Sequence, residues 1–449
     1  MNAKSRIFSR VITGLILIMM LSMSVSPGLS APVVQVIDLG TVIQGFSCHS
    51  SLAIGINTAG QVAGYMECDE TNGTTFTIPV LWNNNGVAQT LDDSSLRGVA
   101  TSVNDQGWVT GYIDPDPTDL LFYNGFLWKP GNPLIKFTGP ADGRVTPAQI
   151  NNSGMVVGDT NWGFWWPPYP YNEKDPDHAF TWTEAGGLQL IPGLDDVASR
   201  AFDVNDAGQV MIQSVNSGFL YNNLTKVLLP IPAGKWAGPN GMNDAGQAVG
   251  VGKDPINGDY PFVWSVKDGI KDLTSVLGPD ANPTDIDNNG VISGDYWNGI
   301  DNYQHAFMWS PDNGFVDPGV PADSTGCYPL RSNNTGSMVG YCYVNGEQHA
   351  VLWKVALTLP KPAQQITQIS AMVSNLESSG SLKPAAAAVL TGTSDLAWTQ
   401  VDLGHPLAAR LLLSTFKVEV SRLIRTDRLK RPAGQVLIDS ANAVIAQLR

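Results

Sequence analysis

Seven copies of one short pattern recur between residues 57 and 336 of this 449-residue chain. Each copy has an Asn or Asp, two further residues, a Gly and then an apolar run. The copies begin at Asn57, Asn104, Asn151, Asn205, Asn243, Asp287 and Asn333. A repeat of about 45 residues that contains several short strands is typical of a β-propeller. This repeat limits the possible folds more than any other feature of the sequence.

Each repeat unit predicts four short strands. The Asn-x-x-Gly segment predicts a tight turn between the first two strands, because Asn and Gly tolerate positive φ. A second turn rich in Asn, Asp and Gly separates the third strand from a short fourth strand. The third strand ends in an aromatic residue in every unit: Trp82, Trp128, Trp182, Tyr221, Trp264, Trp309 and Trp353.

The sequence therefore predicts a mainly β fold, a seven-bladed β-propeller of four-stranded antiparallel blades. One further strand, residues 34–40, precedes the first unit, and the last unit lacks a clear fourth strand. We expect the N-terminal strand to complete the last blade, because a closed ring leaves no sheet edge open. A linear solenoid of the same repeats is the alternative.

Three of the third strands begin with His-Ala, at His178, His305 and His349. Together with the turns, these segments resemble the bacterial HAF family of extracellular repeat proteins over about residues 36–356. The resemblance implies export and a propeller-like fold, and it implies no known reaction. We expect structural roles for these histidines, because the other units have different residues at that position: Ile78, Asn124, Ser217 and Tyr260.

The N-terminus predicts a signal peptide over residues 1–30. Lys4, Arg6 and Arg10 precede an apolar run over 11–25, and small residues follow at 28–30. The apolar run is short for a membrane span, and no later segment is apolar enough to cross a bilayer. We therefore predict a secreted or periplasmic protein with a propeller over residues 31–359 and a helical domain over 360–449.

The four cysteines flank two of the turns. Cys48 and Cys68 lie on either side of the first turn, and Cys327 and Cys342 lie on either side of the seventh. Symmetric placement about a hairpin puts the two side chains of each pair opposite each other, so we predict two disulfide bonds in an oxidising compartment. The spacing is not that of a metal site, and we predict no metal and no cofactor.

Charge limits the choice of partner. Residues 31–359 contain 13 basic and 34 acidic residues. Such a body repels phosphate backbones, so we expect no nucleic-acid partner. Cations, basic proteins and neutral glycans remain compatible, and acidity also keeps an exported protein soluble.

Beyond residue 360 the apolar residues recur at helical spacing, in stripes within 366–376, 412–424 and 436–448. These stripes predict a small bundle of three or four helices. The segment 363–448 resembles the helical domain called FIMAH in its first helix, its Ala-rich stretch over 385–388 and its last two helices, which implies an accessory or attachment role. The basic residues between 422 and 431 are expected to contact envelope polymers or the acidic propeller, or to lie in solvent.

The longest predicted loop, in the third unit, is aromatic. It contains Trp162, Phe164, Trp165, Trp166, Tyr169 and Tyr171. We expect Tyr296 and Trp297 to lie in the corresponding loop of the sixth unit. Rigid aromatic faces stack on sugars and anchor protein interfaces, so we predict that these eight residues bind an extracellular glycan or protein. The alternative is that the long loop forms a local core on its own blade.

Catalysis is the second hypothesis. Carboxylates such as Asp203 and Asp285 precede the turns, and a pair that converged near the propeller axis would suit a glycan hydrolase or lyase. Residues 285–290 begin like a calcium loop, but position 12 of that loop is Tyr296 and not Glu. The turn itself explains these Asp, Asn and Gly residues. A non-catalytic binding propeller is the preferred interpretation.

Overall fold

A computed structural model describes residues 34–448, apart from 72, 92–95, 115–122, 141–142, 161–176, 195–197, 215–216, 223–224, 229–235, 257 and 358–360. The predicted signal peptide and the aromatic residues between Trp162 and Tyr171 lie outside the described residues.

The described strands form seven antiparallel sheets of four strands each, arranged as the blades of a propeller. The predicted fold class is confirmed. The N-terminal strand is β1 (Val34–Asp38). Blade 1 consists of β2 (Cys48–Ile56), β3 (Val62–Asp69), β4 (Thr75–Trp82) and β5 (Ala88–Thr90). Blade 2 consists of β6 (Gly98–Val103), β7 (Val109–Ile113), β8 (Asn124–Trp128) and β9 (Ile135–Phe137). Blade 3 consists of β10 (Val145–Ile150), β11 (Val156–Thr160), β12 (His178–Thr183) and β13 (Gly187–Leu190).

The remaining blades follow in chain order, and the short helix α1 (Thr274–Leu277) links blades 5 and 6. Blades 4 to 7 consist of β14 (Ser199–Val204), β15 (Val210–Ser214), β16 (Ser217–Asn222) and β17 (Thr225–Leu228); β18 (Trp236–Met242), β19 (Ala248–Asp254), β20 (Gly258–Ser265) and β21 (Gly269–Asp272); β22 (Ala281–Ile286), β23 (Ile292–Asn298), β24 (Tyr303–Ser310) and β25 (Gly314–Val316); and β26 (Ser324–Ser332), β27 (Ser337–Val344) and β28 (Glu347–Val355) with β1.

The N-terminal strand closes the ring, as predicted. Strand β1 pairs antiparallel with β28, from Val34 opposite Val355 to Asp38 opposite Val351. Blade 1 then packs against blade 7, since Val339 and Leu352 belong to the same apolar core as blade 1. The linear solenoid is therefore wrong.

The Asn-x-x-Gly turns have the expected chemistry. In blade 1 the N–H of Gly60 donates to the carbonyl oxygen of Asn57 at 3.0 Å, and the side-chain oxygen of Asn57 accepts the N–H of Gln61 at 2.9 Å. Gly60 has φ of +79°, which glycine adopts without steric cost. The opposite ends of the strands carry the longer loops, so the propeller has a turn face and a long-loop face.

Four helices follow the propeller within the described residues. They are α2 (Pro362–Ser378), α3 (Pro384–Asp402), α4 (Pro406–Arg425) and α5 (Arg431–Gln447). Each has a proline in its first turn, where the missing N–H costs nothing and the fixed φ suits a helix. Their apolar faces form one core around the fully buried Phe416. None of the helices in the described part of the chain is long and apolar enough to cross a membrane.

Both predicted disulfides are present, Cys48–Cys68 and Cys327–Cys342. Each joins the first and second strands of its blade at the end away from the turn. The bonds therefore brace the long-loop ends of blades 1 and 7, on either side of the ring closure. Disulfides of this kind are typical of oxidising compartments.

Candidate functional site

A ring of hydrogen bonds surrounds the axis at the turn face. The side-chain amide of the first turn residue donates to the carbonyl of its counterpart in the next blade, from Asn57 to Asn104 at 2.9 Å and finally from Asn333 back to Asn57 at 2.8 Å. Asp287 has no amide, and Asn289 donates across the same gap at 2.9 Å. The leading Asn of the repeat therefore joins neighbouring blades as well as shaping its own turn.

A second ring lies beside the first. Its members are the second turn residues: Thr58, Asp105, Asn152, Asp206, Asp244, Asn288 and Asn334. From Thr58 to Asn288, the backbone N–H of each donates to the side-chain oxygen of the next at 2.7 to 2.8 Å. Burial, with a smaller contribution from nearby Asp206, raises the pKa of Asp244 to about 8. The turn face thus presents carboxyl and amide groups that are already paired.

The two axial carboxylates of the catalytic hypothesis bind backbone. Asp203 accepts the N–H of Met242 at 2.8 Å, and Asp285 accepts the N–H of Ser332 at 2.7 Å. Both partners belong to the next blade. Burial raises the pKa of Asp203 to about 6, and the charge of Arg331 opposes that rise. Both carboxylates therefore hold neighbouring blades together.

Arg331 reaches across the channel. It extends from blade 7 and donates to the carbonyl oxygens of Phe202 at 3.2 Å and Asn240 at 3.3 Å, which lie in blades 4 and 5. The cavity around these axial residues measures about 160 Å³. The channel is therefore narrow between the two faces of the propeller.

The calcium-like segment contributes to the turn as well. Asp287 uses one carboxylate oxygen to accept the N–H groups of Asn289 and Val291, both at 2.8 Å. Within the described ranges, no group of three or more His, Cys, Asp or Glu side chains is placed to hold a metal ion.

The long-loop mouth of the channel has a different composition. Eight residues after the first turn residue, on the second strand of each blade, stand Tyr65, Tyr112, Asp159, Gln213, Val251, Asp295 and Tyr341. We call the five from consecutive blades 6, 7, 1, 2 and 3 the tyrosine arc: Asp295, Tyr341, Tyr65, Tyr112 and Asp159. Burial raises the pKa of Tyr341 to about 12, with smaller contributions from Tyr343 and Tyr328 and then from Asp295 and Tyr65.

Further aromatic rings extend the arc. Tyr328 stacks on Tyr341 with ring centroids 5.0 Å apart, and Tyr343 meets Tyr341 edge-on at 5.7 Å. Tyr123 lies 5.0 Å from Tyr112. The disulfide residues Cys327 and Cys342 adjoin Tyr328 and Tyr341 along their strands, so a covalent bond fixes this part of the mouth.

The end of the arc in blade 3 contains two polar atoms in need of partners. Asp159 pairs in register with Thr146. The Oδ2 atom of Asp159 and the hydroxyl of Thr146 are buried and have no hydrogen-bond partner among the described residues. Burial raises the pKa of Asp159 to about 7, although Arg200 opposes the rise. Such groups are ordinarily satisfied by water or by a ligand.

Two of the eight predicted contact residues lie within the described residues. Tyr296 and Trp297 lie on strand β23 and not in a loop, which corrects the prediction of their local structure. Tyr296 donates to Asp317 at 2.9 Å and packs edge-on against Phe315. Trp297 is 47% exposed and, by strand alternation, faces the same side as Asp295.

Two of the three motif histidines, His305 and His349, make local side-chain contacts, which agrees with the structural role expected for them. The two ring nitrogens of His305 contact Asp301 at 2.7 Å and Asp317 at 2.9 Å. Burial lowers the pKa of His305, but the bonds to Asp317 and Asp301 outweigh it and raise the pKa overall. His349 contacts Asp38 at 2.8 Å and so links β28 to the closing strand.

Comparison with known proteins identifies no family. No protein-family model matches the chain, and no curated protein resembles it in sequence. Among solved structures, dipeptidyl peptidase 4 from Porphyromonas gingivalis matches with 9% identity and a TM-score of 0.34, over 63% of this chain and 50% of the peptidase. The chain thus spans half the length of that structure.

Two further solved structures also match. A mutant of the Aleuria aurantia lectin, in complex with a fucose-containing disaccharide, shows 13% identity and a TM-score of 0.30 over 62% of this chain and 99% of the lectin. A mutant of AofleA from Arthrobotrys oligospora shows 10% identity and a TM-score of 0.29 over 74% and 96%. Similarity at this level says nothing about what this chain binds.

Proposed function

We propose that this protein is an exported, non-catalytic binding propeller that recognises an extracellular glycan at its long-loop mouth. The tyrosine arc is the observation that supports the proposal. Tyrosine rings offer flat faces to the C–H faces of sugars and hydroxyls to their polar edges. The buried oxygens of Asp159 and Thr146, which have no partner within the described residues, add hydrogen-bonding capacity at the same rim.

Exposed aromatic side chains near the arc extend this surface. Tyr343 is 38% exposed and Trp297 is 47% exposed. The aromatic residues from Trp162 to Tyr171 follow Asp159 closely in the chain, and we propose that they contribute to the same surface. A protein ligand would use the same aromatic anchors.

Export, the HAF-type repeat and a FIMAH-like helical domain belong to the same proposal. The two disulfides support an exported location, because such bonds persist in oxidising compartments. The acidic propeller favours a neutral glycan over an anionic one.

A glycan and polysaccharide array tests the proposal when it is read for retention and for released products. We expect retention without products, and a loss of affinity of about tenfold when Trp297 or Tyr343 becomes Ala. Trp398→Ala is the matched control, since Trp398 is a 40% exposed tryptophan on α3 of the helical domain. Equal affinity in the Trp297, Tyr343 and Trp398 variants would contradict the proposed site.

A glycan-active enzyme is the second candidate, and Asp159 is the observation that favours it. A buried carboxyl with a pKa of about 7 has the properties of a general acid. Release of reducing ends or unsaturated sugars by the wild type, abolished in Asp159→Asn, would establish this candidate and overturn the non-catalytic proposal.

A further inference from the structure

A chamber separates the turn face of the propeller from the helical bundle. Its volume is about 960 Å³, and helices α2 and α5 form its roof above the second turn ring. This volume lies within the range of about 300–1,000 Å³ typical of small-molecule sites. The chamber and the tyrosine arc lie at opposite ends of the channel.

The bundle is fixed to the propeller at one side of the chamber. Ala245, at the turn of blade 5, belongs to the apolar core of the helices, and Ala207 of blade 4 packs against that core. The side-chain amide of Asn375 on α2 donates to the carbonyl oxygen of Ala245. These contacts hold the roof over the ring and leave the space between them open.

The floor of the chamber consists of paired carboxylates and amides. The side-chain amide of Asn152 donates to Asp105 at 3.0 Å and to Asp206 at 2.7 Å. Asn288 donates to Asp244 at 2.6 Å. Because amide groups already occupy these carboxylate oxygens, the floor suits hydrogen bonding to hydroxyl groups better than coordination of a metal ion.

The roof adds more amides. Gln435 donates to Asp439 at 3.0 Å, and Gln447 donates to Gln365 at 3.0 Å. Each amide side chain can donate and accept at once, as a sugar hydroxyl does. Met372 and Ala443 supply apolar patches between these polar groups, which suits the C–H groups of a sugar ring.

The charge of the lining argues against an anionic ligand. Four carboxyl residues and a single arginine, Arg431, contribute to it. A uronate or phosphate would therefore meet a negative potential in a partly desolvated space. The amide groups that already donate to Asp105, Asp206 and Asp244 favour a neutral ligand over a cation, because they occupy carboxylate oxygens that would otherwise attract it.

We propose that this chamber binds a neutral, hydroxyl-rich oligosaccharide, with the helical bundle as the roof of the site. The bundle is then part of a binding site as well as an accessory domain. This site is separate from the one at the tyrosine arc, and either can fail without the other.

Calorimetric titration of the full mature chain tests the proposal with maltotriose, cellotriose and triacetylchitotriose, against trigalacturonate and spermidine as charged probes. We expect at least one neutral trisaccharide to bind and both charged probes to bind at least about tenfold more weakly. Ala443→Trp fills the chamber from an exposed position on α5 and should weaken binding by at least about tenfold. Ala388→Trp, at an exposed position on α3 outside the chamber, should bind as the wild type does.

Binding of none of the neutral trisaccharides overturns the proposal, and so does equal binding by Ala443→Trp and Ala388→Trp. If circular dichroism shows that Ala443→Trp is misfolded, Gln435→Leu replaces it, with the same expected loss. Trp297→Ala separates the two sites, because it should leave chamber binding unchanged. Loss of trisaccharide binding in Trp297→Ala alone would place the ligand at the arc and overturn the chamber proposal.

Discussion

The same seven hairpins form both mouths of the propeller channel, yet one mouth repeats the same residue type in nearly every blade and the other does not. At the turn face, the first turn residue is Asn in six blades and Asp in one. At the long-loop mouth, the equivalent second-strand positions contain Tyr, Asp, Gln and Val. The repeated Asn makes the hydrogen bond that joins each blade to the next. The varying positions at the long-loop mouth do not make that bond, so their side chains can differ and contact a ligand.

The largest expected effect concerns the repeated Asn of the turn face. Asn151 accepts three hydrogen bonds, from Ser153 N–H and hydroxyl and from Met155 N–H, and donates one to Asn205. At about 1 kcal/mol for each bond, Asn151→Ala should lower the free energy of unfolding by about 4 kcal/mol. Denaturant unfolding measures this change.

Asn151→Asp is the matched control, because Asp287 shows that the ring accepts an aspartate at this position. It keeps the acceptor and loses the donor, so the expected cost is about 1 kcal/mol. Equal losses in the two variants would mean that the side-chain oxygen does not support the turn. Glycan affinity at the long-loop mouth should be unchanged in both.

The second prediction concerns the disulfide of blade 7 and its effect on binding at each mouth. Cys327 and Cys342 are 15 residues apart, and replacing both with Ser should cost about 3 kcal/mol of stability. Since these residues adjoin Tyr328 and Tyr341, we also expect weaker glycan binding at the arc and unchanged trisaccharide binding in the chamber. Calorimetric titration with both ligands checks this expectation. Weaker chamber binding would show that the two mouths are coupled.

The smallest expected effect is a pH dependence at the turn face. Burial raises the pKa of Asp244 to about 8, so the folded state holds a proton that the unfolded state has lost above about pH 4. The resulting stability is complete below that pH and disappears as the pH rises through 8.

Between pH 5 and pH 6.5, unfolding measurements should show a loss of stability that is about 2 kcal/mol smaller in Asp244→Asn than in the wild type. Asparagine fits this ring, because Asn152 and Asn288 occupy the same position in other blades. If the free energy of unfolding depended on pH in the same way in both proteins, Asp244 would not be the cause of the pH dependence.

Much of the fold follows from the sequence because the signals are local. The Asn-x-x-Gly turn, the alternation within strands and the aromatic end of the third strand recur seven times, and repetition turns a weak local signal into a strong one. The disulfides follow from the same logic, since symmetric positions about a hairpin turn meet across two strands. The spare N-terminal strand indicates ring closure.

The site is less accessible to sequence reasoning. Tyr296 and Trp297 attract attention as neighbouring aromatic residues, but strand pairing places them on β23 and leaves only Trp297 well exposed. The tyrosine arc was missed. Its one signal in the sequence is the tyrosine that stands eight residues after the first turn residue in blades 1, 2 and 7. That spacing indicates a shared surface only once ring closure makes these three blades neighbours.

The sequence by itself determined the number of blades, their strands, the covalent cross-links and the helical character of the C-terminal region, because these features depend on contacts close along the chain. The tertiary structure decided which residues meet across the ring. It brought Tyr65 and Tyr341, 276 residues apart, to one mouth. It also joined Asp203 and Asp285 to the next blade and placed α2 and α5 over the turn face, since such contacts depend on ring closure and domain packing.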